Sequence, residues 1–166
     1  MNKVYWITGL SGSGKTTIGR ALQAELQREN QTVIFLDGDE MRPLLCPDLG
    51  YTEEDRRICA LRYAGLCKLL HDQNFTVICC TISMFHQVRD WNRENIDRYF
   101  EIYIKVNENT LEQRDQKGMY SQKTQNMTGK DILAEFPRNP DCTVVNDHGN
   151  IEEIINQILH VEEDTK

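Results

Sequence analysis

The feature that most constrains this chain is the run from Gly9 to Thr16, which matches the phosphate-binding pattern GxxxxGK[ST] at every fixed position. An apolar, strand-like run precedes it, and the segment after it repeats apolar residues at helical spacing. The glycines let backbone N–H groups converge on one anion, and the positive end of the following helix adds to the attraction. The sequence therefore predicts a triphosphate site, with Lys15 on the β- and γ-phosphates and the Thr16 hydroxyl on Mg²⁺.

Short apolar runs alternate with helical patterns along the 166 residues. The predicted strands cover residues 4–8, 32–36, 75–81, 100–106 and 142–145, and the predicted helices cover residues 16–29, 53–73, 88–99, 110–114 and 151–159. This alternation predicts a single α/β domain with a five-stranded parallel sheet and helices on both faces. The polar stretch 115–140 has no regular pattern, and we predict that it forms a mobile lid.

Composition narrows the classes of partner. The formal net charge of −7 gives no overall basic field, so we expect no nucleic-acid partner. No apolar stretch approaches the roughly 20 residues that span a bilayer, and no signal peptide is visible, so we expect a cytoplasmic protein without membrane contact. The six cysteines include no CxxC pair, which argues against zinc and favours free thiols that are mostly buried.

Carboxylates and an arginine follow the second predicted strand. Asp37 ends that strand, and Asp39 and Arg42 come directly after it. Ligands of open α/β sheets bind beyond the carboxyl ends of strands, which places Asp37 beside the phosphate loop. A carboxylate there can accept a proton from an attacking hydroxyl or hold Mg²⁺ through water. The alternative is an ordinary Asp-Gly turn.

Two arginines lie where a helix is predicted to begin. Thr52 and Asp55 have the spacing of a capping box, and Arg56 and Arg57 follow within the first turns. Cations gain nothing from the positive end of a helix, so we predict that one of the two serves an anion; a solvated arginine is the alternative. Ser83, after the third strand, either binds substrate or starts the next segment.

Several blocks along nearly the whole chain together resemble the adenylylsulfate (APS) kinase family. They are the residues 9–17, 36–42, 48–57, 82–83 and 114–120. The family transfers the γ-phosphate of MgATP to the 3′-hydroxyl of adenylyl sulfate. The resemblance implies a P-loop kinase fold, ATP and Mg²⁺ as cofactors, a nucleotide acceptor and a homodimer.

The resemblance also implies roles by position. Lys15, Asp37 and Lys117 are the implied catalytic residues, and Asp37 is implied to organise Mg²⁺ with Thr16. The implied ATP-binding residues are Gly9, Ser11, Gly12, Ser13, Gly14, Lys15, Thr16, Thr17 and Arg114. The implied acceptor-binding residues are Asp39, Arg42, Tyr51, Arg56, Cys59, Ile82, Ser83 and Met127.

The chain departs from the family pattern on the acceptor side. Cys59 stands where the family has Asn, Met84 where it has Pro, and Met127 where it has Phe, so the acceptor base would lie between Tyr51 and Met127. A divergent branch of the family phosphorylates the ribose 3′-hydroxyl of cytidine diphosphoramidate in capsule biosynthesis. The leading prediction is therefore an APS-kinase-like nucleotide 3′-kinase, and the alternative is a kinase of another nucleotide such as cytidine diphosphoramidate.

Two other classes fit less well. A non-catalytic nucleotide-binding module predicts the loss of Lys15 or Asp37, and both are present. A nucleic-acid 5′-kinase calls for a basic channel, which the net charge disfavours.

Overall fold

The computed structural model describes residues 2–114, 128–129 and 132–164 and has a five-stranded parallel sheet at its centre. The strands are β1 (Val4–Thr8), β2 (Val33–Asp37), β3 (Thr76–Thr81), β4 (Tyr99–Lys105) and β5 (Cys142–Val145). Their spatial order is β2-β3-β1-β4-β5. The predicted fold class and strand number are confirmed.

Six helices accompany the sheet in the described part of the chain. They are α1 (Lys15–Arg28), α2 (Gly38–Leu45), α3 (Glu53–Asp72), α4 (His86–Asn95), α5 (Glu108–Gln113) and α6 (Ile151–Asp164). Within the described ranges, no helix combines the length and the apolar character that a membrane span requires.

Three of these helices differ clearly from the sequence predictions, and one of them is α6, which was predicted over 151–159 but continues to Asp164. Helix α2 was not predicted, because Pro43 in its second turn removes a hydrogen-bond donor. Its N-terminus is nevertheless well defined, since Asp37 caps it through a hydrogen bond from the Asp39 amide. Helix α4 was predicted over 88–99, but it ends at Asn95 because Ile96 takes an extended conformation; Arg98 is left-handed (φ 57°) and leads directly into β4.

The sheet separates two apolar cores. Tyr5 and Ile7 of β1 point to the core formed with α1 and α6, and Val4 and Trp6 point to the core formed with α3 and α4. Every residue of β1 is buried, as expected for a central parallel strand that is covered on both faces.

The parallel arrangement brings the carboxyl ends of the strands to one edge of the sheet. The loops that leave β1 at Thr8, β2 at Asp37 and β3 at Thr81 start side by side there. Because β1 lies between β3 and β4, the loop that follows it sits at the switch in strand order, where α/β proteins bind their ligands.

Gly19 tests how closely α1 packs on the sheet. A methyl group added at Gly19 would lie 2.4 Å from the Cys80 sulfur and 2.8 Å from the ring of Phe35. We expect Gly19→Ala to lower the free energy of unfolding by about 1–3 kcal/mol through overpacking. The control is Gly65→Ala on α3, which meets nothing within 4 Å and is expected to stabilise by about 0.5–1 kcal/mol. Urea denaturation measures both, and a Gly19→Ala protein as stable as the parent would contradict this packing.

Candidate active site

The phosphate-binding loop joins β1 to α1. Gly12 (φ 80°) and Gly14 (φ 94°) take left-handed conformations in it, and Gly14, the N-cap of α1, provides no side chain to cap the helix. The first amides of α1 are therefore left for an anion at the positive end of the helix. Lys15 is at the same end, where its Nζ donates to the carbonyl of Leu10 at 2.8 Å.

Asn146, which follows β5, braces this loop. Its Nδ2 donates to the carbonyl of Ser13 at 2.9 Å. A Cβ at Gly14 would lie only 2.6 Å from that nitrogen, so the hydrogen bond from Asn146 requires glycine at position 14. The sequence analysis missed Asn146; its polar side chain at the carboxyl end of the fifth predicted strand was the available signal.

Asp37 connects the phosphate loop to the start of helix α2. Its Oδ2 accepts the hydroxyl hydrogen of Thr16 at 2.6 Å, and its Oδ1 accepts the amide of Asp39 at 2.9 Å. Asp37 is 8% exposed, so both hydrogen bonds compensate a carboxylate that is largely removed from water. The predicted metal-binding hydroxyl and the predicted catalytic carboxylate are therefore neighbours.

One cavity of about 1000 Å³ contains most of the predicted site. Its lining includes Ser11, Gly12, Gly14, Lys15, Thr16, Thr17, Asp37, Asp39, Arg42, Tyr51, Arg56, Cys59, Ile82, Ser83 and Arg114. Gly9 and Ser13 also belong to the phosphate loop, but they are buried and do not line the cavity. The predicted residues Lys117 and Met127 lie outside the described residues.

Arg42, Tyr51 and Arg56 form one wall of the cavity. The guanidinium carbon of Arg42 lies 4.2 Å from the centre of the Tyr51 ring, and that of Arg56 lies 5.4 Å from it. Burial, followed by the charge of Arg42, lowers the pKa of Arg56. Two neighbouring cations on a half-exposed ring suit an anionic ligand that carries an aromatic base.

Arg57 has a different environment from Arg56. It forms ion pairs with Glu53 at 2.7 Å and Glu54 at 2.6 Å on the surface of α3. The capping box of Thr52 and Asp55 is present as predicted. Of the two arginines at this helix start, Arg56 is therefore the one that the structure places in the cavity.

The loop after β3 presents Ile82 and Ser83 to the cavity. Ser83 has a positive φ of 29°, which is unusual for a serine, and its hydroxyl lies 2.7 Å from that of Thr81. Met84 points the other way: it is fully buried, with its sulfur 3.8 Å from the Thr8 hydroxyl. Met84, one of the departures from the family pattern, therefore packs beneath the loop and does not line the cavity.

Comparison with known proteins agrees with this geometry. A family model described as adenylylsulphate kinase matches residues 1–145. The chain belongs to the adenylylsulfate kinase family. It is 41% identical to a cytidine diphosphoramidate kinase of Campylobacter jejuni over 94% of each chain. It is 40% identical to an adenylyl-sulfate kinase of Pseudomonas aeruginosa, over 85% of this chain and 75% of the relative. A Mycobacterium tuberculosis APS kinase in complex with AMPPNP and APS superposes with a TM-score of 0.90 at 29% identity, over 98% of each chain.

This member of the adenylylsulfate kinase family has a cystine in the wall of the cavity. Cys46, the C-cap of α2, and Cys59 of α3 are joined as a disulfide with Cα atoms 6.0 Å apart, and both line the cavity. The expectation of free thiols is wrong for these two residues, because the fold brings the end of α2 onto α3. The other four cysteines are free and buried, as expected.

Tyr63 is a second residue of this wall that the sequence analysis missed. Its hydroxyl donates to the carbonyl of Gly38 at 3.0 Å, and burial raises its pKa to about 12. Tyr63 follows Arg56 and Cys59 at intervals of seven and four residues, which places all three on one face of α3. That periodicity was the signal available in the sequence.

Arg114, predicted to bind ATP, lines the cavity, and its guanidinium donates to the carbonyl of Asp147 at 3.1 Å. Within the predicted lid, Thr128 lines the cavity, and a Cβ at Gly129 would lie 3.0 Å from the side chain of Leu10 in the phosphate loop. These described parts of the segment 115–140 therefore lie against the loop. The lid motion itself stays a prediction.

The disulfide can be checked by counting thiols. We expect denatured, unreduced protein to show four reactive thiols and reduced protein to show six. Reduction should also lower the free energy of unfolding by about 2–4 kcal/mol, since the bond closes a short loop in the unfolded chain. A Cys46→Ser/Cys59→Ser double variant is the control, because reductant should not change its stability. Six thiols without reduction would contradict the assignment.

Proposed function

We propose that this kinase transfers the γ-phosphoryl group of ATP to the ribose 3′-hydroxyl of a nucleotide. The observation that carries the proposal is the 2.6 Å hydrogen bond between Thr16 and Asp37 inside the shared cavity. It places the carboxylate for the acceptor hydroxyl next to the phosphate loop. Phosphoryl transfer depends on such positioning and on charge neutralisation more than on covalent chemistry.

The residues of this site fit Mg²⁺. Thr16 and Asp37 offer the hard oxygen ligands that Mg²⁺ prefers, and the ion usually completes its shell with nucleotide phosphates and water. When bound, Mg²⁺ would neutralise charge on the phosphates.

The protein groups have separate roles in the proposed step. Asp37 orients the acceptor hydroxyl and takes its proton as the oxygen attacks the γ-phosphorus in line. The bond from that phosphorus to the bridging oxygen of ADP breaks. Lys15, joined by Lys117 from the predicted lid, neutralises the charge that develops on the transferred group.

We propose cytidine diphosphoramidate as the acceptor. The Cys46–Cys59 cystine removes the amide that the APS kinase pattern has at position 59, and a disulfide has no hydrogen to donate. The similarity to the cytidine diphosphoramidate kinase over 94% of both chains supports the same assignment. A changed wall behind an unchanged phosphate loop is what a new acceptor requires.

Adenylyl sulfate is the second candidate. Arg42, Tyr51 and Arg56 keep the family residues that hold a nucleotide with an anionic tail, and all three line the cavity. The family model and the M. tuberculosis neighbour support this acceptor. A homodimer and a lid over residues 115–140 remain proposals supported by the resemblance.

A coupled ADP-release assay with MgATP and each candidate tests the acceptor. We expect kcat/KM for cytidine diphosphoramidate to exceed that for adenylyl sulfate by at least about tenfold, the scale of one hydrogen-bonding difference in a pocket. Cys59→Asn restores the family amide and should shift this ratio toward adenylyl sulfate. Turnover of adenylyl sulfate alone would overturn the acceptor assignment, and turnover of neither would overturn the proposed function.

Asp37→Asn tests the catalytic carboxylate. Asparagine keeps an oxygen for the amide of Asp39 and so preserves the cap of α2, but it cannot take a proton. We expect kcat to fall by about 10²–10⁴-fold, with the Kd for ATP changed far less. Asp48→Asn on the surface is the control for carboxylate loss, and Lys15→Ala should abolish nearly all turnover in a folded protein. An unchanged kcat in Asp37→Asn would exclude the proposed role.

A further inference from the structure

A buried pair of opposite charges lies behind the acceptor loop, outside the proposed chemistry. Arg89 of α4 and Glu101 of β4 are each 3% exposed, and Nε of Arg89 lies 3.4 Å from Oε1 of Glu101. Burial lowers the pKa of Arg89 and raises that of Glu101, so each charge is opposed by its surroundings. Apolar residues often stabilise a fold as well as such a pair does, so stability alone is a weak reason for it.

The remaining donors of Arg89 reach two segments, the loop after β3, which lines the cavity, and the chain at Glu135. Nη1 donates to the carbonyl of Ser83 at 3.5 Å, and Nη2 donates to the carbonyl of Glu135. The same Nη2 lies 2.8 Å from Nδ1 of His86. One planar guanidinium therefore joins the loop after β3 to Glu135, which belongs to the described part of the segment 115–140.

These two segments also bind each other. The amide of Glu135 donates to the carbonyl of Met84 at 3.1 Å, and the amide of His86 donates to the Glu135 carboxylate at 2.5 Å. Ser83 keeps its positive φ of 29° within this network. A strained conformation persists only where its surroundings hold it. The amide of Phe85 donates to the Ser83 carbonyl at 2.9 Å, and the buried Arg89 side chain contacts both that carbonyl and Glu135.

We propose that Arg89 is a positioning residue for the phosphoryl acceptor. It holds Ile82 and Ser83 in the conformation that faces the cavity and fastens them to Glu135, while Glu101 balances its charge. The inference rests on the proposed function, because it requires Ile82 and Ser83 to contact the acceptor rather than ATP.

Three variants separate positioning from stability. Arg89→Met removes charge and donors together. Arg89→Lys keeps the charge opposite Glu101 but loses the planar fork. Arg93→Met is the matched control, because Arg93 also pairs with Glu101 (3.1 Å) yet bonds otherwise to Asp141 and the Asn139 carbonyl, not to Ser83 or Glu135.

Steady-state kinetics with the acceptor that the wild-type protein turns over give the first readout. We expect Arg89→Met and Arg89→Lys to lower kcat/KM for the acceptor by about 10–100-fold, the scale of charge-assisted hydrogen bonds, while KM for ATP changes less than about twofold. Arg93→Met should leave both near wild type. If Arg89→Met fails to fold, Arg89→Lys and the double variant Arg89→Met/Glu101→Gln carry the test. Wild-type acceptor kinetics in Arg89→Lys, or an equal change in both KM values, would overturn the proposal.

Hydrogen exchange gives a second readout that needs no acceptor. The amides of His86 and Glu135 should exchange at least about tenfold faster in Arg89→Lys than in wild type, and should be unchanged in Arg93→Met. If the wild-type protein turns over neither nucleotide, the proposed function fails, and this measurement alone decides whether Arg89 holds the two segments. Unchanged exchange at both amides would refute the positioning role.

Discussion

The two hydrogen bonds that the carboxylate of Asp37 accepts are the interactions on which both the fold and the site depend. One oxygen accepts the Asp39 amide and so starts α2, and the other accepts the Thr16 hydroxyl at the head of α1. A carboxylate that is 8% exposed requires such donors, because an unpaired charge at that depth would be costly. The group proposed to take the acceptor proton is therefore held by bonds that the fold already needs, and the site is arranged before substrate binds.

The cavity wall formed by Arg42, Tyr51 and Arg56 depends on the same hydrogen bonds of Asp37. Helix α2 begins at Asp37 and presents Arg42 toward Tyr51, while the capping box of α3 fixes the turn that places Arg56 beside the same ring. The two arginines repel each other, which opposes the charged form of Arg56. An anionic ligand bound between them would offset this repulsion, so binding of an anion would also stabilise the two arginines in this position.

Short-range patterns in the sequence predict only the parts of the site whose residues lie close together along the chain. The phosphate loop, the strand-end Asp37 and the capping box of α3 each depend on residues a few positions apart, and each is where it was predicted. The contacts of Asn146 and Cys46 are not encoded that way, because Asn146 meets Ser13 across 133 residues and Cys46 meets Cys59 through the packing of α2 on α3. Helix α2 itself was hidden by Pro43, whose effect on propensity is outweighed by the Asp37 cap and by burial of Met41.

The replacement of the family asparagine by Cys59, which is paired with Cys46, does not by itself explain which acceptor this protein selects. Removing an amide from a pocket relaxes the rejection of other ligands, but it does not select a particular base, because selection needs a group that one ligand satisfies and another leaves unpaired. Arg42, Tyr51 and Arg56 match the APS kinase pattern and so cannot make that distinction by themselves. In the described part of the lining, the other polar groups that could contact a base or its tail include the carboxylate of Asp39 and the hydroxyls of Tyr63, Thr81, Ser83 and Thr128. Ser83 differs from the rest of this set because it takes a positive φ, so the proposed positioning by Arg89 would affect acceptor choice through the conformation of this one residue.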